Sequence, residues 1–276
     1  MEGLILSLGM LMNIGTSLPN DCYINNNNNI CITESEYENL ISIGFEEEEI
    51  KNMPQEVYEN NKNLNGSVVA ASEEYYKTVS NRINKSSFSF KVSADEYNNS
   101  SRGYSDGYVE TTYKKLRTKI ISISGHFRYK TSIEWKSNPS VRSYDVLGIG
   151  MESNKVQKQG SPVFVGDYCY TGGGCINTTY SNLYTSSYGV GMVHKLPTGS
   201  FSSMEAYLYY DVVKINSGNT ITSLGAFGDY AHATSDISLS SIVGNYSVST
   251  IISYSNGMQG YYDETPTTTA TWTGSW

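Results

Sequence analysis

Residues 125–136 read Gly-His-Phe-Arg-Tyr-Lys-Thr-Ser-Ile-Glu-Trp-Lys. Phe127, Tyr129, Thr131, Ile133 and Trp135 take every second position, and His126, Arg128, Lys130, Ser132, Glu134 and Lys136 fill the gaps. Successive side chains of a strand point to opposite faces, so this spelling makes one apolar, aromatic face and one charged face. The charged face matches no catalytic chemistry and reads as the solvated side of a sheet. Phe88-Ser-Phe-Lys-Val92 and residues 204–213 repeat the alternation. Gly125 either separates two ordinary strands or bends a hairpin that reaches a membrane; ordinary strands are expected.

The same period runs from Ser67 to the end. Candidate strands are 67–80, 87–93, 108–124, 126–136, 142–151, 163–170, 176–195 in pieces, 203–215, 219–228, 246–254 and 267–275. Turn signals separate them, among them Ser137-Asn-Pro139, Pro197-Thr-Gly199 and Ser255-Asn-Gly257. Many short strands with regular turns indicate a sandwich or barrel, and an antiparallel β-sandwich is expected. Tyrosine dominates the aromatics, 24 against 7 Phe and 3 Trp, and its ring packs while its hydroxyl stays wet. A net charge of −8 argues against nucleic-acid binding, which needs clustered Lys and Arg.

The period differs before Ser67. Thr33-Glu-Ser-Glu36 spells a capping box, Tyr37, Leu40 and Ile41 follow at helical spacing, and Gly44 suits a helix stop. Glu46–Glu49 place acid at the start of a second helix. Pro54 restarts the chain, and Val57 and Tyr58 head a third helical piece. The expected division is a signal peptide over 1–17, an Asn-rich loop with a helical head over 18–66, and the sandwich over 67–276. The signal reading rests on the short apolar run 4–12 and on Gly15-Thr-Ser17 as a cleavage site, although the Met1-Glu2 start lacks the usual positive charge. Residues 33–80, with the following Tyr75-Tyr-Lys-Thr78, resemble a head that recurs in secreted proteins of Gram-positive bacteria, a resemblance that carries no activity.

Four cysteines form two close pairs, Cys22 with Cys31 and Cys169 with Cys175. Three connectivities exist; the local one is simplest and implies an oxidising compartment, so a secreted or cell-surface location. The densest polar cluster is Gly228-Asp-Tyr-Ala-His-Ala-Thr-Ser-Asp236, where Asp229, His232 and Asp236 are the candidate metal ligands and Asp229 with His232 the candidate acid–base pair. A turn held by local Asp–backbone bonds is the simpler account of that cluster. No G-x-S-x-G elbow, H-E-x-x-H or phosphate loop occurs. No cofactor and no catalytic residue is implied.

The tyrosine surplus points to binding. Tyr207 and Tyr209 share one face of the 204–213 strand and make a candidate exposed platform; Tyr168 and Tyr170 flank the Cys169–Cys175 loop, and Tyr261 and Tyr262 precede Asp263. Tyrosine simply replacing Phe and Ile in a thin core is the plainer account. The expected function is non-catalytic binding or adhesion, with a glycan or protein partner. The alternative is a β-pore-forming, membrane-active toxin built on the 108–136 stretch, and the third is a hydrolase at Asp229 and His232.

Overall fold

A computed structural model describes residues 21–81, 83, 86–100, 104–105, 108–179, 184–236 and 262–276. The expected signal segment 1–17 and the expected strand 246–254 lie outside the described residues.

In chain order the elements are β1 (Ile24–Asn25), β2 (Cys31–Ile32), α1 (Glu34–Ser42), α2 (Glu47–Lys51), α3 (Gln55–Asn61), β3 (Gly66–Asn81), β4 (Ser86–Val92), α4 (Ala94–Asn99) and β5 (Tyr104–Ser105). They continue with β6 (Val109–Ile123), β7 (His126–Trp135), β8 (Tyr144–Met151), β9 (Val156–Tyr170), β10 (Cys175–Thr179) and β11 (Tyr184–Ser186). The last are β12 (Gly189–Lys195), β13 (Phe201–Lys214), β14 (Ser223–Ala233), β15 (Tyr262–Glu264) and β16 (Thr268–Thr273). The larger sheet runs β10-β9-β13-β7-β6-β3-β4 with β5 beside β6, and the smaller runs β11-β12-β8-β14-β15 with β16 also on β14. Every pairing in both sheets is antiparallel. The chain is therefore an antiparallel β-sandwich with few helices.

Strands β6 and β7 form a tight hairpin in which Ile123 faces His126. Gly125 sits in the intervening turn at φ +88°, a region that L side chains rarely adopt. This hairpin lies inside the larger sheet, with β13 on one flank and β3 on the other.

The head follows its capping signals. The Thr33 hydroxyl accepts from the Glu36 amide and the Glu36 carboxylate accepts from the Thr33 amide, which closes both halves of the box. Gly44 takes φ +86° at the end of α1, and Pro54 caps α3. Helix α4 follows the expected strand 87–93, at a place where no helix was expected. Its signal was present, because Ser93 accepts from the Glu96 amide as a helix N-cap.

Two cores result. Between the sheets, Leu116, Ile120, Phe127, Tyr129, Ile133 and Trp135 meet Leu147, Ile149, Met192, Leu224 and Tyr230. The sheets are in close contact at Gly228, where an added Cβ would lie 2.0 Å from Thr118 Oγ1 and 2.6 Å from Thr131 Oγ1. The second core lies on the other face of the larger sheet. There Ile32, Leu40, Ile43, Phe45, Ile50 and Met53 pack onto Ile121, Ile123, Val165, Tyr207 and Tyr209. The head is thus a third layer, over the central part of the outer face of the larger sheet.

That layer corrects the reading of β7. Its charged face is not solvated: Arg128, Lys130 and Ser132 are all buried. Lys130 Nζ bonds Glu49 of α2 and the Gly44 carbonyl (3.0 Å), and lies over the rings of Phe45 (4.9 Å) and Tyr207 (5.1 Å). Arg128 pairs with Asp211 (2.7 Å), donates to Asn61 of α3 (2.5 Å) and lies over Tyr209 (4.3 Å). Charges this deep persist because each is both paired and hydrogen-bonded.

Candidate functional site

On the head-facing side of the larger sheet, one cross-strand row runs Tyr75, Lys115, Glu134, Glu205, Asp167, Asn177. Each comes from a different strand, and opposed side chains on one face stand about 5 Å apart. Three carboxylates therefore sit side by side. The head covers this row only in part. Beside Glu46, Glu47 and Glu48 a cleft of about 990 Å³ opens, bounded on its far sides by Tyr97 of α4 and by the Cys169–Cys175 loop.

Arg117 is the centre of its floor. Nη2 meets Glu134 (3.0 Å) and Glu205 (3.1 Å), and Nη1 meets Glu46 (3.1 Å). Lys115 adds a second contact to Glu134 at 2.7 Å, and the Tyr97 hydroxyl a third at 3.2 Å. Lys136 is turned to the carbonyls of Tyr97 and Asn98, which fixes α4 against the sheet.

The carboxyls respond differently to this setting. Burial pushes Glu205 well up, and nearby Glu49 adds to it, against the pull of Arg117. Burial takes Asp167 up to about 8, against a hydrogen bond from Asn52. Burial thus favours the protonated form of both groups. Glu46 is the reverse: burial acts upward, but Arg117 and Lys119 outweigh it and hold the group at about 2. The cleft consequently offers carboxyl groups and a guanidinium within a few ångströms of each other.

The structure distributes the sequence candidates unevenly. Tyr170 is at the cleft, 37% exposed, and its ring lies tilted against Phe201 at 4.6 Å between centroids. Cys169 and Cys175 are joined and close the loop beneath it, and Cys22 and Cys31 are joined in the head. Tyr168 faces the inter-sheet core and is buried. Tyr207 and Tyr209 are stacked (6.4 Å, 12°) as the alternation implied, yet they are buried. Phe45 meets both edge-on at 5.9 Å. The expected exposed platform is thus occupied by the chain's own head. Tyr262 is half-buried with its hydroxyl on the Tyr144 carbonyl (3.0 Å), and Tyr261 lies outside the described residues.

Asp229, His232 and Asp236 do not converge. Asp229 and His232 are three apart on β14, so they point to opposite faces of the smaller sheet. Asp229 accepts from Thr267 (2.5 Å), His232 Nδ1 meets Asp145 (3.0 Å), and Asp236 accepts from Ser143 (3.3 Å). No cluster of metal-ligating side chains occurs among the described residues. Sequence reasoning treated this stretch as a turn, and only its pairing with β8 and β15 shows that Asp229 and His232 belong to a strand. It also missed Arg117, Glu134 and Glu205, because their neighbours in the row are supplied by strands distant in sequence.

No family model matches the chain, and no curated protein does. Among solved structures, the chain overlays on one named BspA_C_WT with a TM-score of 0.29 and 8% identity, covering 72% of this chain and 84% of that one. The C-terminal domain of the AgI/II polypeptide BspA of Streptococcus agalactiae overlays with a TM-score of 0.28 and 7% identity, again over 72% and 84%. Neither overlay transfers a fold or a ligand to this chain.

Proposed function

We propose that the chain is an extracellular, non-catalytic binding module and that its ligand is a glycan held in the cleft around Arg117. The observation that carries this reading is the cleft itself, whose floor holds Arg117 and Glu205 and whose edge carries the half-exposed Glu134 and Tyr170. A hydroxyl-rich ligand both donates and accepts at every position, and the Glu134–Glu205–Arg117 group offers both in fixed geometry. An exposed tyrosine ring adds a flat face for a sugar ring at low entropic cost. Its loop is closed by a disulfide, so little ordering is left for binding to oppose. The two disulfides favour an oxidising compartment.

The rival readings draw less support. The β6–β7 hairpin has both faces covered, one by the smaller sheet and one by the head, so membrane insertion requires stripping both layers. The hydrolase reading rested on Asp229 and His232, which face opposite ways.

A glycan array that includes cell-wall polysaccharides, followed by calorimetry on the best hit, tests the proposal. Binding that weakens at least tenfold in Tyr170→Ala and in Glu47→Lys, at the exposed rim, supports it. Absence of any bound glycan, or equal binding by both variants, overturns it. Dye release from liposomes by the wild-type chain favours the pore reading instead.

A further inference from the structure

The inner face of the smaller sheet carries a second polar row, and the binding reading does not use it. His194 of β12 is the cross-strand partner of Asp145 of β8, and His232 of β14 is the partner of Asp263 of β15. His232 Nδ1 lies 3.0 Å from Asp145 Oδ2, which joins the two pairs. Tyr230 and the Ala233 amide also donate to Asp145. From the opposite sheet, Lys114 of β6 reaches across the sandwich interior. Its Nζ lies 3.2 Å from Asp263 Oδ2, and the side chains are 0% and 4% exposed. The ammonium lies over Trp135 (5.0 Å) and Tyr230 (5.5 Å), and Ser89 donates to the same Asp263 oxygen.

We propose that Lys114 and Asp263 condense spontaneously into an isopeptide bond that staples the two sheets together. The Lys114 nitrogen attacks Asp263 Cγ, an N–C bond forms and one C–O bond breaks. The departing oxygen leaves as water, carrying the two protons that the ammonium gives up. The ion pair becomes a neutral amide, so atoms and charge balance without any other reactant.

Three features favour the step. The fold holds nucleophile and carboxyl at contact distance, which replaces a bimolecular encounter with an intramolecular one. Both partners are out of water, where two opposite charges are costly and a neutral amide is not. Burial also lowers the basicity of the Lys114 amine, against the opposing charge of Asp263, and so raises its share of free amine.

Mass spectrometry of the purified full chain under denaturing conditions decides the matter. The expected mass is below that of the mapped sequence by one water, in addition to two hydrogens for each disulfide. A tryptic digest is expected to give a branched peptide joining the Lys114 and Asp263 segments, with no cleavage after Lys114. Asp263→Asn is expected to reach the same cross-linked mass by losing ammonia, whereas Asp263→Ala and Lys114→Met keep their full masses. A folded wild-type chain at full mass, yielding a free Lys114 peptide and a free Asp263 peptide, overturns the proposal. The wild-type measurement stands even if a variant fails to fold.

Discussion

The two faces of β7 are built from one alternating sequence and end in two kinds of interior. The odd positions, Phe127 to Trp135, enter an aromatic, largely apolar core between the sheets. The even positions, Arg128, Lys130 and Glu134, enter an interface that the head closes with Glu49, Asn61 and Glu46. The first interior is held mainly by apolar area removed from water, which is non-directional. The second depends on matched charges, which are stable only while every partner is in place. Where the second interior runs out of cover, its pairs become the floor of the cleft.

The largest expected effects come from cutting each interior once. Lys130→Ala leaves Glu49 buried without its cation and is expected to cost about 3–5 kcal/mol in urea unfolding. Leu208→Ala, at a fully buried site in the dry core, is expected to cost about 2–5 kcal/mol. The two interiors part company on repair. Replacing Lys130 and Glu49 together by apolar residues is expected to recover most of the loss, whereas no single second change refills the Leu208 void. Gly228→Ala comes next, at about 1–3 kcal/mol or more, because the added methyl meets threonines of the opposite sheet.

The faces also respond to pH in opposite senses. Burial holds His194, in the dry core, at about 4 against an ordinary 6.5, although Asp145 opposes it. Its stabilising neutral form is complete above pH 6.5 and is lost as pH falls toward 4. Asp167, in the head-facing row, is raised from 3.8 to about 8, so its contribution is complete below pH 3.8 and is lost as pH rises toward 8. Asp167→Asn is expected to remove the loss of unfolding free energy that this group adds as pH rises from 3.8 to about 8. His194→Phe is expected to remove the loss of opposite sign, which sets in as pH falls from 6.5 to about 4. The smallest effect on stability is expected for Tyr170→Ala, within about 0.5 kcal/mol at an exposed site, whereas the proposed glycan binding is expected to weaken tenfold or more.

Much of the fold was legible locally. Thr33 and Glu36 announced α1, Gly125 marked the break between two strands, and the alternation of 125–136 set which residues of β7 share a face. What the charged face meets was not legible, because a run of Arg, Lys and Glu spells a solvated surface unless its partners are known. Those partners come from residues far away, Glu49 for Lys130 and Asn61 for Arg128. Tyr207 and Tyr209 were recognised as a pair, but their cover, Phe45, had the spelling of a contact just after a helix stop. The cleft was the least legible part, since its row is assembled from single residues of strands that pair only in the fold.

A double-mutant cycle on Lys130 and Glu49, read by urea unfolding of Lys130→Met, Glu49→Leu and the double variant, is the most direct test of the buried second interior. A coupling of about 2 kcal/mol or more is expected for a desolvated pair beneath the head. Additivity within about 0.3–0.5 kcal/mol would mean that the charged face of β7 is open to water, and would contradict the account.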